Sequence, residues 1–269
     1  MAFLYMAYIS DILAVVLLFA FNVNWYTSNA HSLERENKNK VTVEAADIIE
    51  WNRDKKIYIA RGNVKAMRDT FTISADTLTA VYRSKNSNKG EIYRLEALGH
   101  VVITSTENRA AGGHAIYDID KQIITLTGNN LFFKNGFYTI TARDSIKYLK
   151  SCRIAIASGA AAVWRNKQTI KADVLTAYFE HSPSSDNQIK ELKAIGNVII
   201  VTPQEILQSN EGHYDVFNEI AQMEGNVRIT RGSNQISGER AQINLKTGLS
   251  YILPRLKSGG RVQGLFAKE

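Results

Sequence analysis

The chain has 269 residues, 45% of them hydrophobic and 22% charged, so it is long enough for one large or two small globular domains. Its 33 basic and 26 acidic side chains give a formal net charge of +7, which suits an anionic partner such as a phosphate-bearing lipid, an acidic glycan or a nucleic acid. The single cysteine, Cys152, excludes an internal disulfide and a zinc site built from several cysteines.

The first thirty residues differ from the rest of the chain. Residues 12–21, ILAVVLLFAF, are an uninterrupted apolar run, and Ser28 and Ala30 are small residues of the kind found before a signal-peptidase cleavage site. No basic residue precedes the run, and the run alone is shorter than the about 20 apolar residues of a membrane span. Residues 1–30 are therefore predicted to be a signal peptide or an N-terminal anchor, and residues 31–40 a polar linker.

A short phrase recurs through the remaining chain: a glycine, usually a polar residue, and then an alternating strand, as in GNVRIT at 225–230. The spacings between successive marker glycines are 37, 29, 31, 37, 29 and 35 residues, so the series begins again and defines a long repeat of 97 residues. Such periodicity indicates a duplicated unit of structure. The marker glycines are Gly62, Gly99, Gly128, Gly159, Gly196, Gly225 and Gly260.

A second repeated position lies between the marker glycines. It stands 15 residues before the next marker glycine in most repeats and 23 before it in two, where polar inserts at 83–91 and 180–188 are predicted to be exposed loops. Its aspartates are predicted to be turn or strand-end residues rather than catalytic groups. The position is occupied by Asp47, Asp76, Gly113, Asp144, Asp173, Asn210 and Arg240.

The segments between these positions are typical of β-strands. They are rich in Val, Ile, Thr, Tyr and Phe, and alternation places Val227 and Ile229 on one face and Arg228 on the other. The prediction is an all-β fold of short repeated antiparallel strands, forming either a closed barrel or an open, rolled pair of sheets. Strands within 41–51 and 239–253 are the expected ends, available for pairing with a neighbour, and Pro254 is expected to end pairing.

Two long segments, GGHAIYDIDKQIITLTGNNLFFKNGFYTITARDSIKY at 112–148 and EGHYDVFNEIAQMEGNVRITRGSNQISGERAQI at 211–243, share one pattern. Together with GGRVQGLFAKE at 259–269, this pattern resembles the LptA or OstA-like family of periplasmic lipopolysaccharide-transport proteins. The resemblance covers about residues 40–269. It divides the chain into an OstA-like β-jelly-roll over 41–253, containing the 97-residue duplication, and a C-terminal tail over 254–269.

The resemblance implies an open V-shaped β-jelly-roll that binds the acyl chains of lipopolysaccharide between its sheets. It implies a carrier in the periplasm of a Gram-negative bacterium that associates edge to edge with itself. The implied partners are lipopolysaccharide through its lipid A, an inner-membrane LptC-like protein and an outer-membrane LptD-like translocon. The irregular leader keeps a membrane-anchored LptC-like relay as an alternative.

An acyl-chain carrier needs a long apolar trough, because each buried methylene contributes about 0.8 kcal/mol. Strand alternation supplies candidate inward-facing side chains, although each one taken alone could equally fill an ordinary sandwich core. The candidate lipid-binding residues are Val64, Ile73, Val101, Ile103, Phe132, Ile140, Val163, Ile170, Val198, Ile200, Val227, Ile229 and Ile236.

The sequence contains no HExxH, nucleophile elbow, Walker loop or dinucleotide-binding motif. We therefore expect no enzyme, no cofactor and no metal. The lipopolysaccharide-binding role that the resemblance implies leads us to expect no nucleic-acid partner. His114 and His213 are interpreted as strand-face or turn residues that could pair with a carboxylate or a metal, and Asp118 with Asp120 lacks a third calcium ligand nearby. A structural or adhesive β-solenoid without lipid and a glycan-processing enzyme stay as rival hypotheses.

Overall fold

The computed structural model describes the greater part of the chain from residue 41 onward. The predicted signal peptide or anchor, the linker and Gly260 lie outside the described residues, as do most of the second insert and most of the tail. Within the described part, no helix is long and apolar enough to cross a bilayer. The described residues are 41–68, 70–86, 89–106, 108–134, 138–165, 167–180, 189–244, 246–247, 249–254 and 261–266.

The described residues form eighteen β-strands and no helix, and every strand pairing with a resolved register is antiparallel. The predicted all-β fold of repeated antiparallel strands is confirmed. The strands are β1 Thr42–Glu44, β2 Ile48–Asn52, β3 Ile57–Arg68, β4 Phe71–Asn86, β5 Lys89–Thr104, β6 Arg109–Asp118, β7 Ile123–Thr127, β8 Phe132–Lys134, β9 Thr139–Thr141, β10 Ser145–Leu149, β11 Ile154–Arg165, β12 Gln168–Phe179, β13 Ile189–Val201, β14 Ile206–Asp215, β15 Ile220–Arg231, β16 Asn234–Asn244, β17 Ser250–Leu253 and β18 Gln263–Leu265.

The chain divides into two compact units. The first unit holds the described residues within 41–136 and 147–152, and the second unit those within 137–146 and 153–269. Strand bounds correspond between them, since β3 and β11 are both twelve residues long and begin at Ile57 and Ile154.

In the first unit, successive long strands β3 to β6 form an antiparallel meander. At each end of the meander, one long strand pairs with two short ones. The start of β3 pairs with β2 and its end with β1, while β6 pairs with β8 near its start and with β7 along its second half. Two short strands along one long strand are the expected consequence of a sheet that bends sharply along its length.

The second unit repeats this arrangement. Its long strands β11 to β16 form a meander, and β9 pairs with the end of β11 as β1 pairs with the end of β3. At the other end, β16 pairs with β18 near its start and with β17 along its second half. β17 ends at Leu253, directly before Pro254.

Five of the marker glycines lie in β-bulges of the long strands, whereas Gly128 lies in the turn after β7. The ladder between β3 and β4 shifts between Arg61 and Val64, where Gly62 and Asn63 have positive φ values of 84° and 44°. Glycine and asparagine adopt this left-handed conformation at the lowest cost, and a bulge bends and twists the strand that contains it. Similar positive-φ pairs occur at Gly99–His100, Gly159–Ala160, Gly196–Asn197 and Gly225–Asn226.

The second repeated position lies against the marker glycine of the following strand. A Cβ on Gly196 would overlap the side chain of Asp173, and one on Gly99 would overlap Asp76. The residue after the glycine completes the contact, because Asn197 Nδ2 donates a hydrogen bond of 2.9 Å to Asp173 Oδ2. The aspartate lies on one strand of a hairpin and the marker glycine on the next. The sequence intervals of 15 and 23 residues are therefore the chain lengths needed to bring these two positions together across the hairpin.

The first polar insert is a hairpin, so the loop predicted over 83–91 is wrong for most of its length. β4 continues to Asn86, β5 begins at Lys89, and Arg83 pairs in register with Glu91. The guanidinium of Arg83 also holds the Asp120 carboxylate at 2.7 Å, which raises the pKa of Arg83 and fixes the hairpin to the β6–β7 turn. The second insert, 180–188, lies outside the described residues beyond Glu180.

Candidate functional site

Six predicted lipid-binding residues of the second unit form a single row across the sheet. Each is the cross-strand partner of the next, and Leu207 of β14 completes the row between β13 and β15. Partners on neighbouring strands share a face, so the row is a continuous apolar band. In order, it contains Ile140, Val163, Ile170, Ile200, Leu207, Ile229 and Ile236.

The row is not sealed. Leu207 is buried and packs in a cluster with Met223 and Val227, but the six predicted members are only half-buried. Half-buried branched side chains that line one face leave apolar surface available to a ligand. The row therefore has the chemistry expected of a wall that contacts hydrocarbon.

The first unit has the corresponding row, which contains Ile73 and Ile103 of the predicted set. Its other members were missed by the sequence analysis: two are alanines, Ala66 and Ala110, and alanine gives no strong alternation signal. The row runs through Val43, Ala66, Ile73, Ile103, Ala110 and Phe133.

Phe132 does not lie with the other candidates, because its partner in β6 is Ala111 rather than Ala110. Phe132 stands 97 residues before Ile229, which lies in the row of the second unit. The turn after β7 contains one residue more than its counterpart: positive φ falls on Gly128 and Asn130, against the adjacent Gly225 and Asn226. One extra residue moves the following side chains to the other face, so Phe133 takes the inward place.

Four predicted valines lie in the closed part of the core. Val64, Val101, Val198 and Val227 each stand two residues after a marker glycine and are only 1% exposed. Side chains this deeply packed cannot contact a ligand unless the sheets separate. These four valines therefore fill an ordinary sandwich core, which is the alternative interpretation of each candidate. They pack beside the bulges.

The first unit encloses an apolar cavity of about 320 Å³. Its lining includes Tyr58, Leu78, Ala80 and the predicted Ile73. Pockets that bind small ligands span about 300–1,000 Å³ and are mostly apolar, so this volume is sufficient for part of a hydrocarbon chain. Arg68 is the charged residue of its wall.

A second, smaller cavity of about 30 Å³ continues the first toward the middle of the unit. The two share Ile73, Leu78 and Leu95, and the smaller one adds Ile103 and Tyr117. Burial raises the pKa of the Tyr117 hydroxyl, so Tyr117 stays neutral at physiological pH. The interior is thus a mostly apolar, partly open trough lined by residues of β1 to β7, with Arg68 and Glu96 as the charged residues of its lining.

The candidate lipid-binding residues come mainly from the strand after each marker glycine. They therefore do not include Leu78, Ala80 and Leu95, which line the cavity. These three residues precede the bulge of their own hairpin, in the segments DTLTAVY and IYRLEAL. The alternation of Leu78, Ala80 and Tyr82 is a strand signal that could have identified them. The trough therefore extends on both sides of the bulges.

The model of the family described as LptA/(LptD N-terminal domain) LPS transport protein matches residues 42–151 and again residues 139–249. The chain belongs to this family. The predicted family resemblance is thereby confirmed, and the two matches begin 97 residues apart, at 42 and 139.

The chain is similar in sequence to a further protein and aligns weakly with a solved structure. An uncharacterized protein, R00383 of Rhizobium meliloti (strain 1021), is 27% identical over 114 residues, which are 41% of this chain and 61% of that protein. LptH, the LptA homologous periplasmic component of the lipopolysaccharide transport device of Pseudomonas aeruginosa, aligns with 86% of this chain and 98% of its own at 10% identity. The TM-score of that alignment is 0.22, so family membership rests on the sequence match alone.

Both units of this LptA/LptD-family chain carry a histidine–glutamate pair at corresponding places. His114 Nε2 lies 2.7 Å from Glu96 Oε1 in the first unit, and His213 Nε2 lies 2.9 Å from Glu191 Oε1 in the second. These are the two histidines for which a carboxylate or metal partner was considered, and each contacts a carboxylate. No group of metal-ligating side chains occurs among the described residues.

In each unit, a cation two residues from the glutamate on the same strand also contacts the carboxylate. The cation comes before the glutamate in the first unit and after it in the second. Arg94 precedes Glu96 in the first unit at 3.3 Å, whereas Glu191 precedes Lys193 in the second at 2.8 Å. Residues 94 and 191 are 97 positions apart, so the carboxylate has moved by two residues along the strand. The histidine contacts the carboxylate in both units. Each network therefore contains one histidine, one glutamate and one cation, although the glutamate stands at a different position on its strand.

We expect the Glu191→Gln variant to be slightly less stable than the parent protein at pH 7. The hydrogen bond from Lys193 and the charges of Lys193 and His213 lower the pKa of Glu191. A lowered folded-state pKa contributes stability above the unfolded-state value, and this contribution is lost as the pH falls through the folded-state value. Because the pair is partly exposed, the difference in thermal midpoint should be about 1–3 °C at pH 7 and close to zero at pH 3. Thermal scans at both pH values measure it, and an equal difference at both would contradict the assignment.

Proposed function

We propose that this protein is a periplasmic carrier that binds the acyl chains of lipopolysaccharide in the apolar interior of its sheets. Family membership supports transport of lipopolysaccharide. The observation that carries the binding site is the continuous apolar trough of the first unit, with its cavity of about 320 Å³. A closed core would instead favour the rival scaffold without lipid, and this interior is partly open.

The carrier would pass lipopolysaccharide from an inner-membrane LptC-like protein toward an outer-membrane LptD-like translocon in a Gram-negative bacterium. Strand addition at the ends of the sheets supports edge-to-edge association with these partners or with further copies. At the C-terminal end, β17 and β18 carry exposed apolar residues, among them Tyr251 and Leu265. Apolar side chains on a terminal strand suit pairing with a neighbouring strand.

Filling the cavity should weaken lipid binding without removing any apolar surface. In Ala80→Trp, the indole would occupy the space between Tyr58 and Leu95, the cross-strand partners of Ala80. The affinity of the purified protein for labelled lipopolysaccharide is expected to fall at least about tenfold, a loss of about 1.4 kcal/mol. Equilibrium binding measures this change directly.

The matched control is Thr77→Trp, which adds the same side chain three residues earlier on the same strand. The cross-strand partners of Thr77 are Arg61 in β3 and Leu98 in β5, and these residues do not line either cavity. This variant should bind lipopolysaccharide as the parent does. Unchanged affinity in Ala80→Trp, with circular dichroism showing the native fold, would show that the cavity is not the acyl-chain site.

A further inference from the structure

The hairpin of β2 and β3 in the first unit presents large apolar side chains to solvent. Ile49 is 58% exposed, Trp51 52% and Tyr58 40%. Single exposed apolar residues are ordinary, but several together on one hairpin indicate a surface that meets another apolar phase. We call this set the aromatic hairpin: residues 48–58, with the turn 53–56 at its tip.

The aromatic rings of the hairpin are held in place. Trp51 stacks on Tyr58 with ring centroids 5.7 Å apart and an interplanar angle of 18°. The indole Nε1 of Trp51 donates a hydrogen bond of 2.9 Å to the hydroxyl of Tyr82, whose ring lies 5.1 Å from that of Tyr58. A surface whose rings are already fixed loses little conformational entropy when it binds.

The tip of the hairpin is cationic. Arg53, Lys55 and Lys56 are exposed and Asp54 is the one acidic residue of the turn, while Glu50 at the base is already paired with Arg61 at 3.4 Å. Within the described part of the chain, none of the three cations lies within ion-pair distance of a carboxylate. They are therefore available to external anions.

The position of Arg53 joins the two properties. Its guanidinium lies 4.3 Å from the centroid of the Trp51 ring, so an anion held by Arg53 would lie at the edge of the aromatic patch. Tryptophan and tyrosine flanked by arginine and lysine are characteristic of the boundary between lipid headgroups and acyl chains. A soluble anion would use the cations and leave Ile49 and Trp51 without a role.

The aromatic hairpin also forms part of the entrance to the cavity. Ile49 and Tyr58 line the cavity of about 320 Å³ together with Val43 and Ile92. A surface held at the headgroup boundary by Trp51 would therefore place the cavity opening next to the acyl chains of that bilayer. This arrangement favours a membrane over a protein as the partner of the patch.

We propose that the aromatic hairpin docks the first unit on the surface of an anionic phospholipid bilayer. Ile49 and Trp51 enter the headgroup boundary, and Arg53, Lys55 and Lys56 bind lipid phosphates. The docking surface shares Ile49 and Tyr58 with the lining of the proposed acyl-chain cavity, and it rests on the proposed function only in giving the cavity opening access to lipid. The occupant is the bilayer itself, not a single soluble lipid headgroup.

Fluorescence of Trp51 tests this docking in the full chain. A variant with Trp25→Phe and Trp164→Phe leaves Trp51 as the reporter, and vesicles of equal parts phosphatidylglycerol and phosphatidylcholine with brominated acyl chains supply a quencher located in the membrane. Quenching reports contact of the hairpin itself, whichever part of the chain brings the protein to the vesicle. We expect Trp51 emission to shift to shorter wavelength and to be quenched by the anionic vesicles, but not by phosphatidylcholine vesicles.

Charge reversal at the tip provides the matched pair of variants. Lys55→Glu with Lys56→Glu should weaken the quenching of Trp51 at least about 30-fold in lipid concentration, since each cation near an anionic surface contributes about a fivefold factor. Lys65→Glu with Lys134→Glu makes the same change in net charge at other exposed positions of the first unit. This second variant should be quenched nearly as the parent is.

Other outcomes identify other occupants and overturn the proposal. Equal quenching of the two charge variants would mean that net charge alone attracts the protein, and equal quenching of a protein that retains only Trp164 would mean nonspecific adsorption. A shift of Trp51 emission by inorganic phosphate alone would indicate a soluble-anion site. Absence of quenching in anionic vesicles overturns docking but leaves lipopolysaccharide binding intact, because the Ala80→Trp comparison measures that binding separately.

Discussion

Replacing Gly128 with alanine is expected to lower the free energy of unfolding by about 2–5 kcal/mol. Gly128 has a φ of 94°, a conformation that an L-residue adopts only with strain. A Cβ there would lie 2.8 Å from Cα and 2.9 Å from N of Gly113. Both atoms belong to the backbone of β6, which pairs with β7 one residue away at His114 and Thr127, so neither can move without loss of sheet hydrogen bonds.

Gly232→Ala provides the control, because Gly232 also has a positive φ, 56°, but no atom within 4 Å of the added Cβ. Only the backbone term applies, so this variant should lose about 1 kcal/mol. Thermal unfolding followed by circular dichroism should show a decrease in midpoint of about 5–15 °C for Gly128→Ala and a few degrees for Gly232→Ala. Equal decreases would show that the close approach of Gly113 does not constrain residue 128.

Sequence periodicity predicted most of the architecture because the bulges leave a chemical signature. Each bulge needs positive φ at two residues, and glycine followed by asparagine or histidine satisfies this need at the lowest cost, as at Gly62–Asn63 and Gly99–His100. The aspartate that lies against the next glycine is equally visible, as at Asp76 and Asp173. Both signals lie within a short stretch of sequence, so they can be recognised without knowledge of tertiary contacts.

Alternation also identified the transverse row of the second unit, where Ile170, Ile200 and Ile229 are large branched residues at corresponding places. The same reasoning failed at Phe132, because alternation does not show where a turn contains an extra residue before the strand begins. A shift of one residue reverses the face of every following side chain. Only the observed pairing of Phe133 with Ala110 determines it.

The cavity could not have been located from the sequence. Alternation states which side chains face inward, but whether inward-facing residues touch depends on the separation of the sheets across the interior. Val64 and Ile73 both face inward in the first unit, yet Val64 is 1% exposed in the closed core and Ile73 borders the cavity. The polar composition of RSKNSNKGE likewise concealed a hairpin, since strand pairing of Arg83 with Glu91 requires only backbone hydrogen bonds and a favourable charge pair.

A carboxylate in the transverse row of the second unit should impair both stability and lipid binding. Ile200 lies between Ile170 and Leu207, its partners on the neighbouring strands. In Ile200→Asp, the charged group would be held among apolar side chains without a partner, at a cost of about 2–4 kcal/mol. The affinity for lipopolysaccharide should fall at least about tenfold as well, because the carboxylate would interrupt the apolar band where hydrocarbon is proposed to lie.

Ile199→Asp separates this effect from the general cost of a carboxylate in β13. Ile199 is equally half-buried, but its partners are Lys171 and Gln208 on the opposite face. There the new charge meets a cation, and a favourable cross-strand pair contributes about 0.2–1 kcal/mol, so stability and lipopolysaccharide binding should stay near those of the parent. Urea denaturation measures the stability of each variant. Equilibrium binding, measured under conditions in which both variants are folded, then compares the two faces of β13. If Ile200→Asp were destabilised and still bound lipopolysaccharide with parental affinity, the row would be core in the second unit and the lipid would be confined to the first.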